Sequence, residues 1–172
     1  MEISRTIGGY ILFPRGKKDS KGKGLITVNQ AKGGRPRQNR NGKYEGYYDR
    51  FDLTLYAIKE WFAGNHNSKI DYAIDNYREW FELFFDDNGE NGFENFVEFF
   101  KLEGFIYEQN KIIDLIKSDL KNNQVAFLDK EDILRPKTKE EYIRYMENLE
   151  NTILERTKKI SHPALIKRKI RY

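Results

Sequence analysis

The sequence predicts an α+β protein in which a small antiparallel N-terminal sheet packs on four to five helices. Two β-branched and apolar runs lie within the first 30 positions, and elsewhere apolar side chains recur at intervals of three and four residues. Aromatic residues make up 15% of a chain that is 34% charged, so large rings supply the core. The length of 172 residues fits one domain, which we place at residues 1–163, with a basic tail over residues 164–172.

Two strands are expected first. Residues 6–13 form an apolar run that Pro14 stops, and residues 25–28 form a second run. The segment between them, residues 15–24, holds glycines and lysines that are typical of an exposed turn. The pattern predicts an antiparallel hairpin, to which a short apolar run at residues 125–128 adds a third strand.

Helices are expected in most of the remaining chain. The first begins at Asp49, where Asp52 completes a box-like cap, and stops at Gly64. The second begins at Ser68 and ends in the acidic loop of residues 86–92.

Three further helical segments are predicted after that loop. One covers residues 93–100, another residues 112–120, and the last runs from a capping box of Thr138 and Glu141 to Ile160. The predicted core face of the last helix repeats at steps of four, three and four: Tyr142, Met146, Leu149 and Ile153.

Several functional classes are excluded by residues that the sequence lacks. It has no cysteine, which excludes disulfide frameworks, thiol nucleophiles and thiolate-ligated metals. Its two histidines, His66 and His162, lie far apart, and neither belongs to a catalytic motif. We find no signal peptide, membrane span or nucleotide-binding glycine motif. We therefore expect a cytoplasmic protein without a cofactor or metal ion, and whether it is an enzyme stays open.

Charge is strongly segregated along a chain whose formal net charge is +4. Residues 1–48 carry +8, residues 49–154 carry −10 and residues 155–172 carry +6. Residues 32–43, here called the basic loop, place cations on a glycine-rich backbone that can follow a phosphate chain. Its predicted nucleic-acid-binding residues are Lys32, Arg35, Arg37, Arg40 and Lys43. The leading hypothesis is an RNA- or DNA-associated binding protein that uses this loop and the basic tail; the alternative is a solvated surface loop.

A second hypothesis comes from polar residues that flank the predicted strands and the first long helix. Arg5 precedes the first strand, and Asn29 and Gln30 leave the second. Arg50 and Asp52 lie in the first helical turn. If the strand ends and the first helical turn converge, Arg5 and Arg50 bind phosphate and Asp52 acts as acid, base or orienting group. The protein would then be an enzyme or sensor for a small phosphorylated ligand. The alternative is that Asp52 caps the helix and Arg50 pairs with a carboxylate.

A third hypothesis is a protein-interaction module, such as a phage or mobile-element factor that acts on a host macromolecule. The charge of −10 lies on the predicted helices, so an acidic helical face is expected to meet a protein partner or a second copy of the chain.

The loop from Asp87 to Glu98 fits an EF-hand at its first, fifth, sixth, ninth and twelfth positions but not at its third and eighth, so no calcium site is predicted.

Three strings of residues carry a family resemblance. They are RTIGG at residues 5–9 followed by LFP at 12–14, NQAKG at 29–33, and DRFDLTL at 49–55. In these strings the chain resembles a bacterial family of unknown function, whose members are small cytoplasmic proteins without an assigned activity. The resemblance covers residues 4–102. The resemblance implies no catalytic residue. Its polar landmarks favour a functional role for the residues of the second hypothesis, which are Arg5, Asn29, Gln30, Arg50 and Asp52.

Overall fold

The computed structural model describes residues 11–31, 50–129 and 136–161. These residues are mostly helical. A tiny antiparallel sheet pairs β1 (Ile106–Tyr107) with β2 (Lys111–Ile112). The six α-helices of the described residues are α1 (Val28–Ala31), α2 (Phe51–Phe62), α3 (Asp71–Asp75), α4 (Arg78–Glu82), α5 (Gly92–Phe100) and α6 (Lys139–Ser161).

The predicted α+β class is wrong, because the sheet is not at the N-terminus. From residue 11 to residue 27, the only β pairing is an isolated bridge between Lys18 and Gly24, and Val28 begins α1. A capping box explains the helix: the Thr27 N–H donates to Gln30 Oε1 at 2.9 Å, and the Gln30 N–H donates to Thr27 Oγ1 at 3.3 Å. These local bonds outweigh the β propensity of residues 25–28. Residues 6–10 of the predicted first strand lie outside the described residues.

Two predictions in the middle of the chain are also wrong. The run at residues 125–128 forms an isolated bridge, Phe127 with Ile113, and does not add to an N-terminal pair. Residues 112–120 are not an α-helix, because the Asp114 carboxylate accepts backbone N–H bonds from Ile116 at 2.9 Å and Lys117 at 3.2 Å. Aspartate side chains that bind nearby N–H groups compete with helical hydrogen bonding and favour turns.

The described residues fall into two compact units, each built from more than one stretch of the chain. The N-terminal unit contains residues 12–31, 50–96, 128 and 129. The C-terminal unit contains residue 11, residues 97–127 and residues 136–161.

The core of the N-terminal unit is built on α2 and a cluster of aromatic rings. The predicted helix and its end are confirmed, since α2 ends at Phe62 and Gly64 follows with φ +80°, whereas its predicted start at Asp49 lies outside the described residues. Phe81 lies against Trp61 and Phe96, with ring centroids 5.5 and 6.1 Å apart. Aromatic contacts of this kind stabilise the core beyond the area that they bury.

Two features position the elements around this cluster. The predicted second helix is divided into α3 and α4, and at the start of α3 the Asp71 carboxylate accepts hydrogen bonds from the Ser68 N–H and the Ser68 hydroxyl. At the start of α5, Gly92 lies so close to the cluster that a Cβ atom there would be 2.6 Å from the Phe62 ring and 2.8 Å from that of Phe85. This approach requires glycine.

The C-terminal unit is organised by α6, whose extent confirms the prediction of the last helix. The predicted capping box is present, because the Glu141 N–H donates to Thr138 Oγ1 at 3.1 Å. The predicted core face is only partly correct: Tyr142 is 56% and Met146 is 41% exposed. The buried side chains of α6 are Tyr145, Asn148, Thr152, Ile153 and Arg156.

Polar side chains on that buried face bind backbone carbonyls of other segments of the chain. Asn148 Nδ2 donates to the carbonyls of Leu115 at 3.0 Å and Ser118 at 2.8 Å. Arg156 Nε donates to the Phe100 carbonyl at 2.8 Å, and burial lowers the pKa of Arg156 to about 10. None of the helices within the described ranges is long and apolar enough to cross a membrane.

Candidate functional site

Residues 15–24 form a turn with a defined backbone, here called the basic turn. The Asp19 N–H donates to the Lys23 carbonyl at 2.9 Å. The Asp19 carboxylate accepts the backbone N–H groups of Lys21 and Lys23, both at 2.9 Å. An aspartate that bonds to the backbone two residues on stabilises a turn. These bonds involve the backbone of the lysines and leave their side chains exposed.

The basic turn carries excess positive charge. Its exposed cations are Arg15, Lys17, Lys18, Lys21 and Lys23, and its one carboxylate is that of Asp19. Lys17 Nζ lies 3.5 Å from Glu79 Oε2, but Glu79 is 86% exposed, and surface pairs of this kind contribute little. The turn therefore presents a positively charged surface that attracts anions.

A groove of about 380 Å³ lies beside the basic turn. Its apolar lining comes from Phe13, Pro14 and Leu25. Its polar and charged side chains are Arg15, Lys17, Thr27, Asn29 and Gln30. The adjoining chain is anchored where Asn76 Nδ2 donates to the Ile26 carbonyl at 2.9 Å. Cations, amides and apolar carbons thus meet in one depression.

Asn29 and Gln30, two of the predicted ligand-binding residues, therefore line the same groove. Gln30 has a structural role as well, since its Oε1 atom accepts from Thr27 in the capping box. The Asn29 side chain makes no hydrogen bond to any residue that the structure describes. Its amide can donate and accept bonds to a ligand.

Arg50 and Asp52, two other predicted residues, form a buried pair. Arg50 is 1% and Asp52 0% exposed. Arg50 Nε donates to Asp52 Oδ1 at 2.9 Å, and Arg50 Nη2 pairs with Asp52 Oδ2. Asp52 Oδ1 also accepts the Leu53 N–H at 3.0 Å. Neither residue belongs to the lining of the groove, and Arg5 lies outside the described residues.

The predicted nucleic-acid-binding residues of the basic loop, Lys32 to Lys43, lie outside the described residues, as does the basic tail. The loop follows α1 directly in the sequence, because Lys32 succeeds Ala31. No binding role was predicted for Arg15 and Lys17, because residues 15–24 were interpreted only as a connection between two strands. The signal for such a role is the presence of five cations within these ten positions.

A second groove, of about 300 Å³, lies along α6 in the C-terminal unit. Its lining includes Ile143, which is 45% exposed, and the carboxylates of Glu140 and Glu147. Lys121 Nζ lies 2.9 Å from Glu147 Oε1. The lining of this groove therefore carries both negative and positive side chains. Within the described part of the chain, no three His, Asp or Glu side chains cluster to hold a metal ion.

A model of a family of unknown function, DUF6994, matches residues 1–160, and the chain belongs to that family. This confirms the resemblance in the sequence and extends it from residue 102 into α6. No curated protein and no solved structure matches the chain.

Proposed function

We propose that this DUF6994 protein is a nucleic-acid-associated binding protein that contacts phosphate groups through the basic turn, the basic loop and the basic tail. The observation that carries the proposal is the basic turn, in which five exposed cations stand on a backbone held by Asp19. The sequence places the five cations of the basic loop immediately after α1.

The arrangement suits a polyanion better than a small anion. Exposed lysines spread along a turn can each meet a different phosphate group, and binding then releases condensed counterions. A small phosphorylated ligand would instead need cations that converge on one point. The groove contributes only Arg15 and Lys17 to such a point.

The alternative site at Arg5, Asn29, Gln30, Arg50 and Asp52 has weaker support. Arg50 and Asp52 are buried and paired with one another, so their charges are balanced inside the fold. The Asp52 carboxylate is 0% exposed and already accepts bonds from the Arg50 guanidinium and the Leu53 N–H, so a substrate could reach it only if the surrounding structure moved. These contacts favour a structural role for the pair.

A protein partner is the second candidate, and one observation favours it. The apolar side chains of Ile143 and Met146, 45% and 41% exposed, lie on the same helix as the carboxylates of Glu140 and Glu147. Pull-down with the intact chain tests this candidate. A partner lost on Ile143→Ser, and retained on Lys158→Ser as the control, would support it.

The proposed function is tested by fluorescence anisotropy with labelled RNA and DNA, between about 50 and 200 mM salt. We expect binding that weakens steeply as salt rises. Replacing Lys18, Lys21 and Lys23 together by Gln should reduce the slope of log K against log salt by up to about 3. The hydrogen bonds of the turn survive, because they use backbone atoms of these lysines.

A matched control removes the same charge elsewhere. Lys69, Lys139 and Lys158 are also exposed, and their replacement by Gln gives the same net charge. The control should retain most of the affinity. Equal losses in the two triple variants, or no salt-dependent binding by the wild type, would overturn the proposal.

A further inference from the structure

The groove beside the basic turn has the size of a small-ligand site. Its volume of about 380 Å³ lies within the range of ~300–1,000 Å³ that is usual for such sites. Its lining combines three apolar residues, two cations and three side chains that are able to donate or accept hydrogen bonds. A surface that bound only a phosphate chain would need none of the apolar lining.

The apolar part of the lining includes an aromatic ring that the core holds in place. The Phe13 ring centroid lies 6.1 Å from that of Trp80 and 6.2 Å from that of Phe81. Phe13 is nevertheless only half-buried. A partly exposed, immobilised ring is a surface on which a nucleobase can stack, whatever its identity.

The hydrogen-bonding part of the lining includes the Asn29 amide, which is exposed and makes no bond to a described residue. An amide that both donates and accepts can pair with the edge of a base that is not itself paired. Arg15 and Lys17 belong to the same lining and supply positive charge for the phosphate. The groove therefore offers a group for each part of a nucleotide.

From this combination we infer that the groove takes one unstacked nucleotide, so that the nucleic acid bound by this protein is single-stranded. The inference rests on the proposed function and deepens it. In a duplex the bases are stacked and paired, and their faces cannot reach Phe13. Cations alone would bind both forms, whereas the groove distinguishes them.

The test compares labelled single strands of RNA and DNA with duplexes of the same sequence, by anisotropy at one low salt concentration. We expect the single strands to bind about tenfold more tightly than the duplexes. Asn29→Ala should weaken binding of single strands severalfold, leave duplex binding unchanged and leave the salt slope unchanged. Asn88→Ala, a change at an exposed amide in the loop of residues 86–92, is the matched control.

A second variant guards against an effect on folding. Asn29→Asp keeps the shape of the side chain and places negative charge in the groove, so it should weaken binding of single strands more than Asn29→Ala does. Equal affinity for single strands and duplexes, or full affinity in both Asn29 variants, would overturn the single-strand inference and leave the proposed function standing. Absence of binding to every nucleic acid at low salt would overturn both.

Discussion

In two charged regions of the N-terminal unit, the carboxylates of Asp52 and Asp19 act differently. At the start of α2, Asp52 pairs with the Arg50 guanidinium, and both side chains are buried. In the basic turn, Asp19 accepts backbone N–H groups of Lys21 and Lys23, whose side chains stay exposed. One carboxylate neutralises a cation inside the fold, while the other shapes a loop whose cations can meet a ligand.

The difference shows why proximity of charged residues in the sequence does not identify a binding site. The Asp19 carboxylate binds backbone amides and leaves the cationic side chains of the basic turn in solvent. The Arg50–Asp52 pair is buried, so both of its charges are removed from solvent.

The largest effect is expected from Asp52→Ala, as a loss of stability. The Arg50 guanidinium would stay buried without its carboxylate, and breaking a buried pair in this way costs about 3–5 kcal/mol in the free energy of unfolding. Urea unfolding followed by tryptophan fluorescence measures the loss.

The double variant Arg50→Met with Asp52→Leu is the control for that experiment. Removing both charges also removes the cost of burying them, so its loss of stability should be much smaller than that of the single variant. An Asp52→Ala protein as stable as the wild type would contradict the structural role of the pair.

A smaller effect is expected from Thr27→Ala at the capping box of α1. The variant loses the oxygen that accepts the Gln30 N–H, and loss of such a cap costs about 1 kcal/mol. Thr27→Ser keeps the hydroxyl and should unfold at nearly the wild-type urea concentration. Equal stability of the Ala and Ser variants would show that the capping box does not hold this segment.

The capping box also shows what the sequence could predict about the fold. The longest helices follow from strong local signals: a helix was predicted between Asp49 and Gly64 where α2 spans Phe51–Phe62, and between Thr138 and Ile160 where α6 spans Lys139–Ser161. Thr27 and Gln30 have the spacing of a capping box as well, but the β-branched run before them favoured a strand. The error arose because a side-chain bond to the backbone decided between two local preferences.

The buried face of α6 was beyond prediction for a different reason. Asn148 and Arg156 are polar, so a search for apolar periodicity passes over them. They are buried because segments distant in sequence supply the carbonyls of Leu115, Ser118 and Phe100. Such partners are known only when the chain is folded.

The candidate site was predicted only in part, for the same physical reason. Asn29 and Gln30 share one groove, in keeping with their closeness in sequence. The burial of Arg50 and Asp52 depends on tertiary packing around the whole first turn of α2, where residues 50–55 are all buried. An amphipathic pattern places charged residues at the surface and so predicts the opposite.

A modest effect on binding is expected from Asp19→Asn. The asparagine oxygen can still accept the N–H groups of Lys21 and Lys23, so the turn should persist while one negative charge is lost. Affinity for nucleic acid should rise a few-fold at low salt, and the gain should fade as salt screens the charges. Asp87→Asn, a change at an exposed acid outside the basic turn, should change affinity less; an equal gain in both would contradict a binding role for the turn.

The smallest effect concerns Asp86, which holds its loop as Asp19 holds the basic turn. Hydrogen bonds from the Glu90 N–H, and next from the Asn91 amide, lower the pKa of Asp86 below its ordinary value. Because the folded state favours the ionised carboxylate, its contribution to stability is present above about pH 4 and is lost as pH falls through the lowered pKa. Subtracting the free energy of unfolding of Asp86→Asn from that of the wild type, between about pH 6 and pH 2, cancels the other acids. The difference should shrink below about pH 4, and a constant difference would show that the charge of Asp86 does not stabilise this loop.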